Sequence, residues 1–230
     1  IMPTLEAGSV DAIITDLPYG TTACEWDSII PLEPMWEQVK RLLKPNGAFI
    51  TTASQPFTSI LIVSNLKMFK YEMIWQKPMG TGGLDANKKP LKNHENICVF
   101  GDGQISYNPQ FFDYRNSRFK IGEKNPISKS TLRGKGENIY RDIERPDWVE
   151  SGKRYPMSVL FASNKNHNGF VGSVPIKNEH PTQKPVVLYE YLINTYTNFG
   201  ETVLDFTMGS GTTIIAAIRT GRKSIGIERD

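Results

Sequence analysis

Thr202-Val203-Leu204-Asp205-Phe206-Thr207-Met208-Gly209-Ser210-Gly211-Thr212-Thr213 is the stretch whose reading decides the fold. Thr202 to Asp205 is a short, mostly apolar strand, and Gly209 and Gly211 make a tight turn. Thr212 to Thr220 then opens a helix, which Gly221 is placed to stop. Ser224-Ile225-Gly226-Ile227-Glu228 reads as the next strand. Strand, glycine turn, helix and strand together make the repeating unit of a parallel α/β sheet.

The same alternation runs through the first hundred residues. Val10 to Thr15 is apolar enough for a strand covered on both faces. Leu32 to Leu43 follows as an amphipathic helix with Met35, Trp36, Val39, Leu42 and Leu43 on one face, and Lys44-Pro45-Asn46-Gly47 is expected to stop it. Ala48 to Thr52 is a strand, Phe57 to Leu66 a helix, Tyr71 to Trp75 a strand, and Asn96 to Phe100 another. Val186 to Tyr196 is helical. Two regions break the rhythm. Residues 77–93 lack apolar periodicity and read as a loop. Residues 108–171 are rich in Asn, Lys, Arg, Gly and Ser and read as an insertion, leaving 1–107 and 172–230 as one α/β domain.

Composition narrows the class. A hydrophobic fraction of 39% and a charged fraction of 22% over 230 residues are those of a globular protein with a sizeable core. No apolar run approaches the roughly 18 residues of a membrane span. Ile1-Met2-Pro3-Thr4 has none of the features of a secretory signal, and Cys24 and Cys98 lack paired metal spacing. Reduced thiols, a cytoplasmic setting and no metal are therefore expected. The net charge of +3 is unevenly spread: residues 111–165 hold 12 Lys and Arg against 7 Asp and Glu, the remainder 15 against 17. The positive surplus in one stretch suits a polyanion partner, although a solvated basic loop has the same composition.

A glycine turn between strand and helix lets backbone approach a ligand and aims free N–H groups at it. The dinucleotide fingerprint puts glycines at positions one, three and six, but Ile214 stands sixth. A phosphate loop needs Gly-Lys-Ser/Thr, whereas Gly211 precedes Thr212-Thr213. Glu228 ends the next strand, where an acid accepts hydrogen bonds from ribose hydroxyls, and Asp205 stands where a carboxylate can face a cation. A ribose, no pyrophosphate and a positive centre describe S-adenosylmethionine. A plain turn with two surface acids is the competing reading.

Asp16-Leu17-Pro18-Tyr19-Gly20 ends the first strand. An exocyclic amine of adenine or cytosine is a poor nucleophile because its lone pair is delocalised into the ring. Acceptors on both N–H groups favour a pyramidal nitrogen. Asp16 offers a carboxylate, Leu17 or Pro18 a carbonyl held by the fixed proline φ, and Tyr19 a face on which a base stacks. A strand-end turn with a capping Asp is the plainer alternative. His94-Glu95 flanks a strand and is assigned no chemistry, and His167 carries no signal.

With these motifs the chain resembles the amino-methyltransferases of DNA that make N6-methyladenine or N4-methylcytosine. Within them it is similar to the β-class, whose catalytic motif precedes the target-recognition region and whose cofactor motif comes last. Asp16-Leu17-Pro18-Tyr19 matches Asp-Pro-Pro-Tyr with Leu17 for the first proline, and His180-Pro181-Thr182-Gln183-Lys184-Pro185 matches the family's hexapeptide in full. Asp205 to Thr213 matches Asp-Pro-Phe-x-Gly-Ser-Gly-Thr-Thr, with Phe206 and Thr207 where Pro and Phe are usual.

The resemblance implies an α/β fold: a mixed, mostly parallel seven-stranded Rossmann-like sheet flanked by helices, in circularly permuted motif order with an inserted target-recognition region. It implies that Asp16, Leu17, Pro18 and Tyr19 are catalytic. His180, Thr182, Gln183, Lys184, Asp205, Phe206, Gly209, Ser210, Gly211, Thr212 and Glu228 would bind S-adenosylmethionine, with Phe206 at the cofactor edge. Arg115, Arg118, Lys120, Arg133 and Lys135 would hold the phosphates of double-stranded DNA while the target base is flipped out. A homodimer and a cognate restriction endonuclease are further expectations, as is continuation of the chain at both ends. Asp at position 16 favours adenine N6 over cytosine N4. The alternatives are a catalytically inactive DNA-binding homologue, other methyltransferase branches and a nicotinamide-dependent oxidoreductase.

Overall fold

In the computed structural model the described residues are 1–21, 24, 27–113, 153–162 and 183–229. After a short 3-10 turn at Met2–Thr4, the elements are β1 (Val10–Asp16), α1 (Leu32–Leu42), β2 (Leu43–Ala53), α2 (Phe57–Ser64), β3 (Phe69–Thr81) and β4 (Lys92–Gly101). They continue with β5 (Phe112–Asp113), β6 (Lys153–Arg154), β7 (Val159–Phe161), α3 (Val186–Tyr196), β8 (Thr202–Asp205), α4 (Thr212–Arg219) and β9 (Lys223–Gly226). Seven strands form one sheet in the order β7-β3-β4-β2-β1-β8-β9. β1 pairs in parallel with β2 and β8, and β8 with β9, while β4 is antiparallel to both its neighbours. The sheet is thus mixed and mostly parallel, as the family resemblance implies.

Alternation along each strand sorts the core into two layers. Ala12, Ile14, Ala48, Ile50, Ile97, Val99 and Val203 face α3 and α4, where Leu188, Tyr189, Leu192, Tyr196, Ala216 and Ala217 are buried. Ile13, Phe49, Cys98, Phe100 and Leu204 face α1 and α2, against Met35, Trp36, Val39, Leu42, Phe57 and Leu61. Helices cover both faces, which is why these strands read as near-continuous apolar runs. Phe100 is fully buried, with its ring centroid 4.9 Å from Trp36, 5.8 Å from Phe49 and 5.5 Å from Phe69. Phe100→Ala is expected to cost about 3–5 kcal/mol of folding stability, read as a lowered urea midpoint at unchanged slope.

Three expectations change in the fold. Lys44-Pro45-Asn46-Gly47 ends α1 but lies within β2. Leu43 pairs with Val10 and Ala48 with Ala12, so these four residues bulge opposite Asp11 alone. The loop expected at 77–93 shrinks, because the β3–β4 ladder continues to Thr81 and Lys92, leaving a 3-10 turn at Gly83–Asp85. That hairpin arm is largely exposed, so its pairing leaves no apolar period to read. Finally, Val159–Phe161 falls inside the stretch expected to stand outside the sheet, yet it pairs in parallel with Ile74–Gln76 as the edge strand. Three residues are too few to show a period.

Chain contacts gather into two units, Ile1–Gln110 with Met157–Asp230, and Phe111–Pro156. In the second, Phe112 pairs with Arg154 across the antiparallel β5–β6 ladder, and the Phe111 and Tyr155 rings lie 4.8 Å apart. Everything in the candidate site below belongs to the first unit. Among the described residues no helix is long and apolar enough to cross a membrane.

Candidate active site

Strand order reverses between β1 and β8, and open α/β sheets collect ligands outside the carboxyl ends of strands at such a point. Asp16 ends β1 and Asp205 ends β8. The register Ala12↔Val203, Ile13↔Leu204 brings the two ends out side by side. Because β4 runs against β1 and β2, its amino end reaches the same edge: Asp16 is level with Thr52, and Asn96 with Ala53. Glu95 therefore joins the site although it lies at the start of its strand.

The Asp16 carboxylate has donors on both oxygens. Oδ1 accepts from the Tyr19 hydroxyl at 2.8 Å and from the Thr52 hydroxyl, and Oδ2 accepts from Lys184 Nζ at 2.6 Å. Lys184 Nζ is also 3.4 Å from Glu95 Oε2, and Glu95 Oε1 pairs with Lys77. Burial works against the Glu95 charge, but Lys184 and then Lys77 outweigh it and hold its pKa below the ordinary carboxylate value. Burial likewise works against the Lys184 ammonium, and Asp16 and Glu95 outweigh it and raise its pKa. The cluster thus sets the carboxylate groups of Asp16 and Glu95 against the amino groups of Lys184 and Lys77. The Tyr19 hydroxyl, with Glu95 Oε2 at 3.2 Å, titrates well above its ordinary range through burial and then through Asp16 and Glu95. Its ring stacks on Phe57 at 5.8 Å.

Asp27, which the sequence does not single out, clamps the loop after the motif. Its Oδ1 accepts from the Tyr19 and Gly20 N–H groups at 2.8 and 2.9 Å, and its Oδ2 from the Thr21 N–H at 2.9 Å. Gly20, at φ +68°, makes the turn that lines these donors up. Leu17 is 3% exposed and packs in the α1–α2 core, so an aliphatic residue fills this position of the motif.

The glycine turn starts at Asp205, a residue 2% exposed whose carboxylate points inward. Oδ1 accepts from the Thr15 hydroxyl at 2.7 Å and the Thr207 N–H at 3.1 Å, and Oδ2 from the Thr213 hydroxyl. Burial, opposed by these bonds, raises its pKa to about 6. The sequence suggests that Asp205 faces a cationic ligand; in the structure its carboxylate meets these three protein donors and braces the turn from beneath. Phe206, expected at the cofactor edge, is buried with its ring stacked 6.3 Å from Phe49. Lys184, expected among cofactor contacts, lies on the Asp16 carboxylate. Thr207 joins the two motifs, its hydroxyl 2.6 Å from the Thr15 hydroxyl and 3.0 Å from the Asp16 carbonyl oxygen.

Gly209 and Gly211 have φ of +48° and +77°, and a Cβ built on either meets only open space. Conformation rather than crowding demands glycine here. Gly209 donates to Glu228 Oε2 at 2.6 Å, so the acid ending the next segment sits against the turn, exposed. Ser210 is exposed, Thr212 is buried at the start of α4, and Gln183 is half-buried beside Lys184. An open, N–H-rich turn with a carboxylate beside it fits a nucleoside carrying vicinal hydroxyls. His180, Thr182, Arg115, Arg118, Lys120, Arg133 and Lys135 lie outside the described residues.

The family described as DNA methylase, N6_N4_Mtase, matches residues 10–230. The chain belongs to this family. Its class is the S-adenosylmethionine-dependent DNA amino-methyltransferases acting on adenine N6 or cytosine N4. This amino-methyltransferase is 27% identical over 237 residues to the Type II methyltransferase M.HpaI of Haemophilus parainfluenzae, spanning 99% of the chain and 66% of the relative. It is 28% identical over 234 residues to the Type II methyltransferase M1.MboII of Moraxella bovis, spanning 97% of the chain and 86% of the relative. Among solved structures, the PvuII DNA methyltransferase (cytosine-N4-specific) shares the fold at a TM-score of 0.63 and 16% identity, covering 100% of this chain and 78% of that one. The M1.HpyAVI–SAM complex does so at 0.58 and 22%, covering 96% and 84%.

Proposed function

We propose that this chain moves a methyl group from S-adenosylmethionine to the exocyclic amine of a base flipped out of duplex DNA, and that the base is adenine, methylated at N6. The observation carrying this reading is the junction of the two motifs: Asp16 and the glycine turn leave adjacent parallel strands, with the Thr207 hydroxyl within 3.0 Å of the Asp16 carbonyl. An acceptor suited to an amine and a turn suited to a nucleoside thus leave the sheet at the same edge.

S-adenosylmethionine, when bound, supplies an electrophilic methyl group. Gly209, Ser210, Gly211, Thr212 and Glu228 would hold it, with His180, Thr182 and Gln183 contributing from the preceding segment. Asp16 accepts a hydrogen bond from the target amine, and a backbone carbonyl at Leu17 or Pro18 accepts the other. Together they localise the nitrogen lone pair and aim it. Tyr19, tied by its hydroxyl to Asp16, presents the ring against which the base lies. Holding amine and methyl in line lowers the barrier to a displacement that is sensitive to orientation.

Arg115, Arg118, Lys120, Arg133 and Lys135 would grip phosphates within a target-recognition region. Arg115→Glu with Arg118→Glu is expected to weaken DNA binding and to reduce the slope of log affinity against log salt by about 2. Unchanged affinity in a salt titration removes the pair from the interface. Pairing with a second copy, a restriction endonuclease of the same specificity and a cytoplasmic setting complete the proposal.

The cytosine N4 reading is favoured by the likeness to the cytosine-N4-specific PvuII enzyme. Mass spectrometry of nucleosides from DNA treated with the protein and S-adenosylmethionine decides. N6-methyl-2′-deoxyadenosine supports the proposal, N4-methyl-2′-deoxycytidine replaces it with the second reading, and no methylated nucleoside overturns both.

A further inference from the structure

Lys184 stands where the proposed function puts the base. Its ammonium is 2.6 Å from Asp16 Oδ2, the acceptor meant for the target amine, and 5.5 Å from the centroid of the Tyr19 ring, the face meant for stacking. It is also 3.4 Å from Glu95 Oε2. The Lys184 side chain is 11% exposed and that of Glu95 10%, so both charges lie largely out of solvent. Lys77 holds the other Glu95 oxygen and so fixes the direction in which Oε2 points.

We propose that the Lys184 ammonium is a displaceable counter-ion that occupies the amine seat on Asp16 until a base arrives, and that Glu95 is the seat to which it withdraws. This rests on the methyl-transfer reading of the site. Asp16 without a base is a part-buried carboxylate, and an ammonium on it satisfies the charge. During methyl transfer the amine nitrogen becomes positive, and a second cation on the same carboxylate opposes that change. A lysine has the means to leave, since its charge sits on a flexible four-carbon stem. Its destination is already within reach, because a small swing turns the 3.4 Å approach to Glu95 into a full ion pair. Lys184 is thus a positioning residue of the amine pocket and no part of the cofactor site. The two carboxylates and two lysines keep the emptied pocket neutral, and after the swing Asp16 is free to meet the amine.

The test uses the full-length protein, tritiated S-adenosylmethionine and unmethylated PCR-amplified DNA. Glu95→Gln removes the withdrawal seat, leaves the ammonium on Asp16, and is expected to slow single-turnover transfer about tenfold or more with cofactor affinity unchanged. Adding Lys184→Met to Glu95→Gln removes the trapped charge and is expected to recover most of that loss, an interaction that merely structural damage does not produce. Lys184→Met alone is expected to lower KM for DNA, since no ammonium competes with the amine, while calorimetry shows wild-type affinity for the cofactor. A double variant as slow as Glu95→Gln, a raised KM for DNA in Lys184→Met, or lost cofactor affinity in Lys184→Met overturns the inference. If the wild-type protein transfers no methyl group, the failure belongs to the proposed function instead.

Discussion

Asp16→Ala is expected to lower single-turnover methyl transfer at least about a thousandfold, with S-adenosylmethionine bound as tightly as by the wild type. The side chain and backbone of this residue have different duties. Its carboxylate holds the Tyr19 and Thr52 hydroxyls and the Lys184 ammonium, all on the amine side. Its carbonyl oxygen meets the Thr207 hydroxyl at the root of the glycine turn. Truncation at Cβ removes the first set and leaves the second. Lys184 keeps Glu95, so no charge is stranded in the pocket. Tritium transfer from the labelled cofactor measures the loss, and calorimetry measures the retained binding. A variant that no longer binds the cofactor would show that the two motifs are not separable in this way.

Asp205→Ala is expected to act in the opposite sense, destroying cofactor binding and destabilising the fold together. Three donors converge on this buried carboxylate: the hydroxyls of Thr15 and Thr213 and the Thr207 N–H. Alanine takes this acceptor from two buried hydroxyls and a part-buried N–H, at about 1–3 kcal/mol for each group left unsatisfied. The turn they brace loses its shape, and a fall of at least about a hundredfold in cofactor affinity follows from misplaced N–H groups. Thermal melting and calorimetry read the two effects. Asp205→Asn isolates the charge. The folded pKa is about 6 against an ordinary 3.8, so the native state binds the extra proton. Stability from this group is full below the lower value, declines as pH rises between the two, and is level above about 6, a fall of about 3 kcal/mol. Urea titrations across that window should show the decline in wild type and a flatter profile in Asp205→Asn. An identical profile in both would place the ionisation elsewhere.

Both experiments probe a site that the sequence exposes unevenly. Val10-Asp11-Ala12-Ile13-Ile14-Thr15 and Thr202-Val203-Leu204-Asp205 announce buried parallel strands through composition alone, because helices on both sheet faces leave no polar side to alternate. The glycines announce the turn because positive φ is a local demand. Such features depend on a few consecutive residues, and local sequence carries them. Even Val186–Tyr196 keeps the helix boundaries that its apolar spacing suggests.

Thr207 shows where that legibility ends. Against the family pattern it reads as a departure, a threonine for the usual phenylalanine. In the fold its hydroxyl is the link between the Asp205 network and the Asp16 carbonyl. Asp205 reads as a ligand-facing acid because it ends a strand at a binding edge. Thr15, 190 residues away, turns it inward.

Residue types and their local spacing determined most of the strands, the helices and the two motifs, since those follow from periodicity and backbone preference within short windows. Which side chains meet was decided only by strand order and direction. Antiparallel β4 carries Glu95 to the edge where parallel β1 delivers Asp16, and the segment before α3 returns Lys184 between them. A carboxylate's role depends on the partners that chain topology brings within about 3 Å of it, and no short window of sequence contains them.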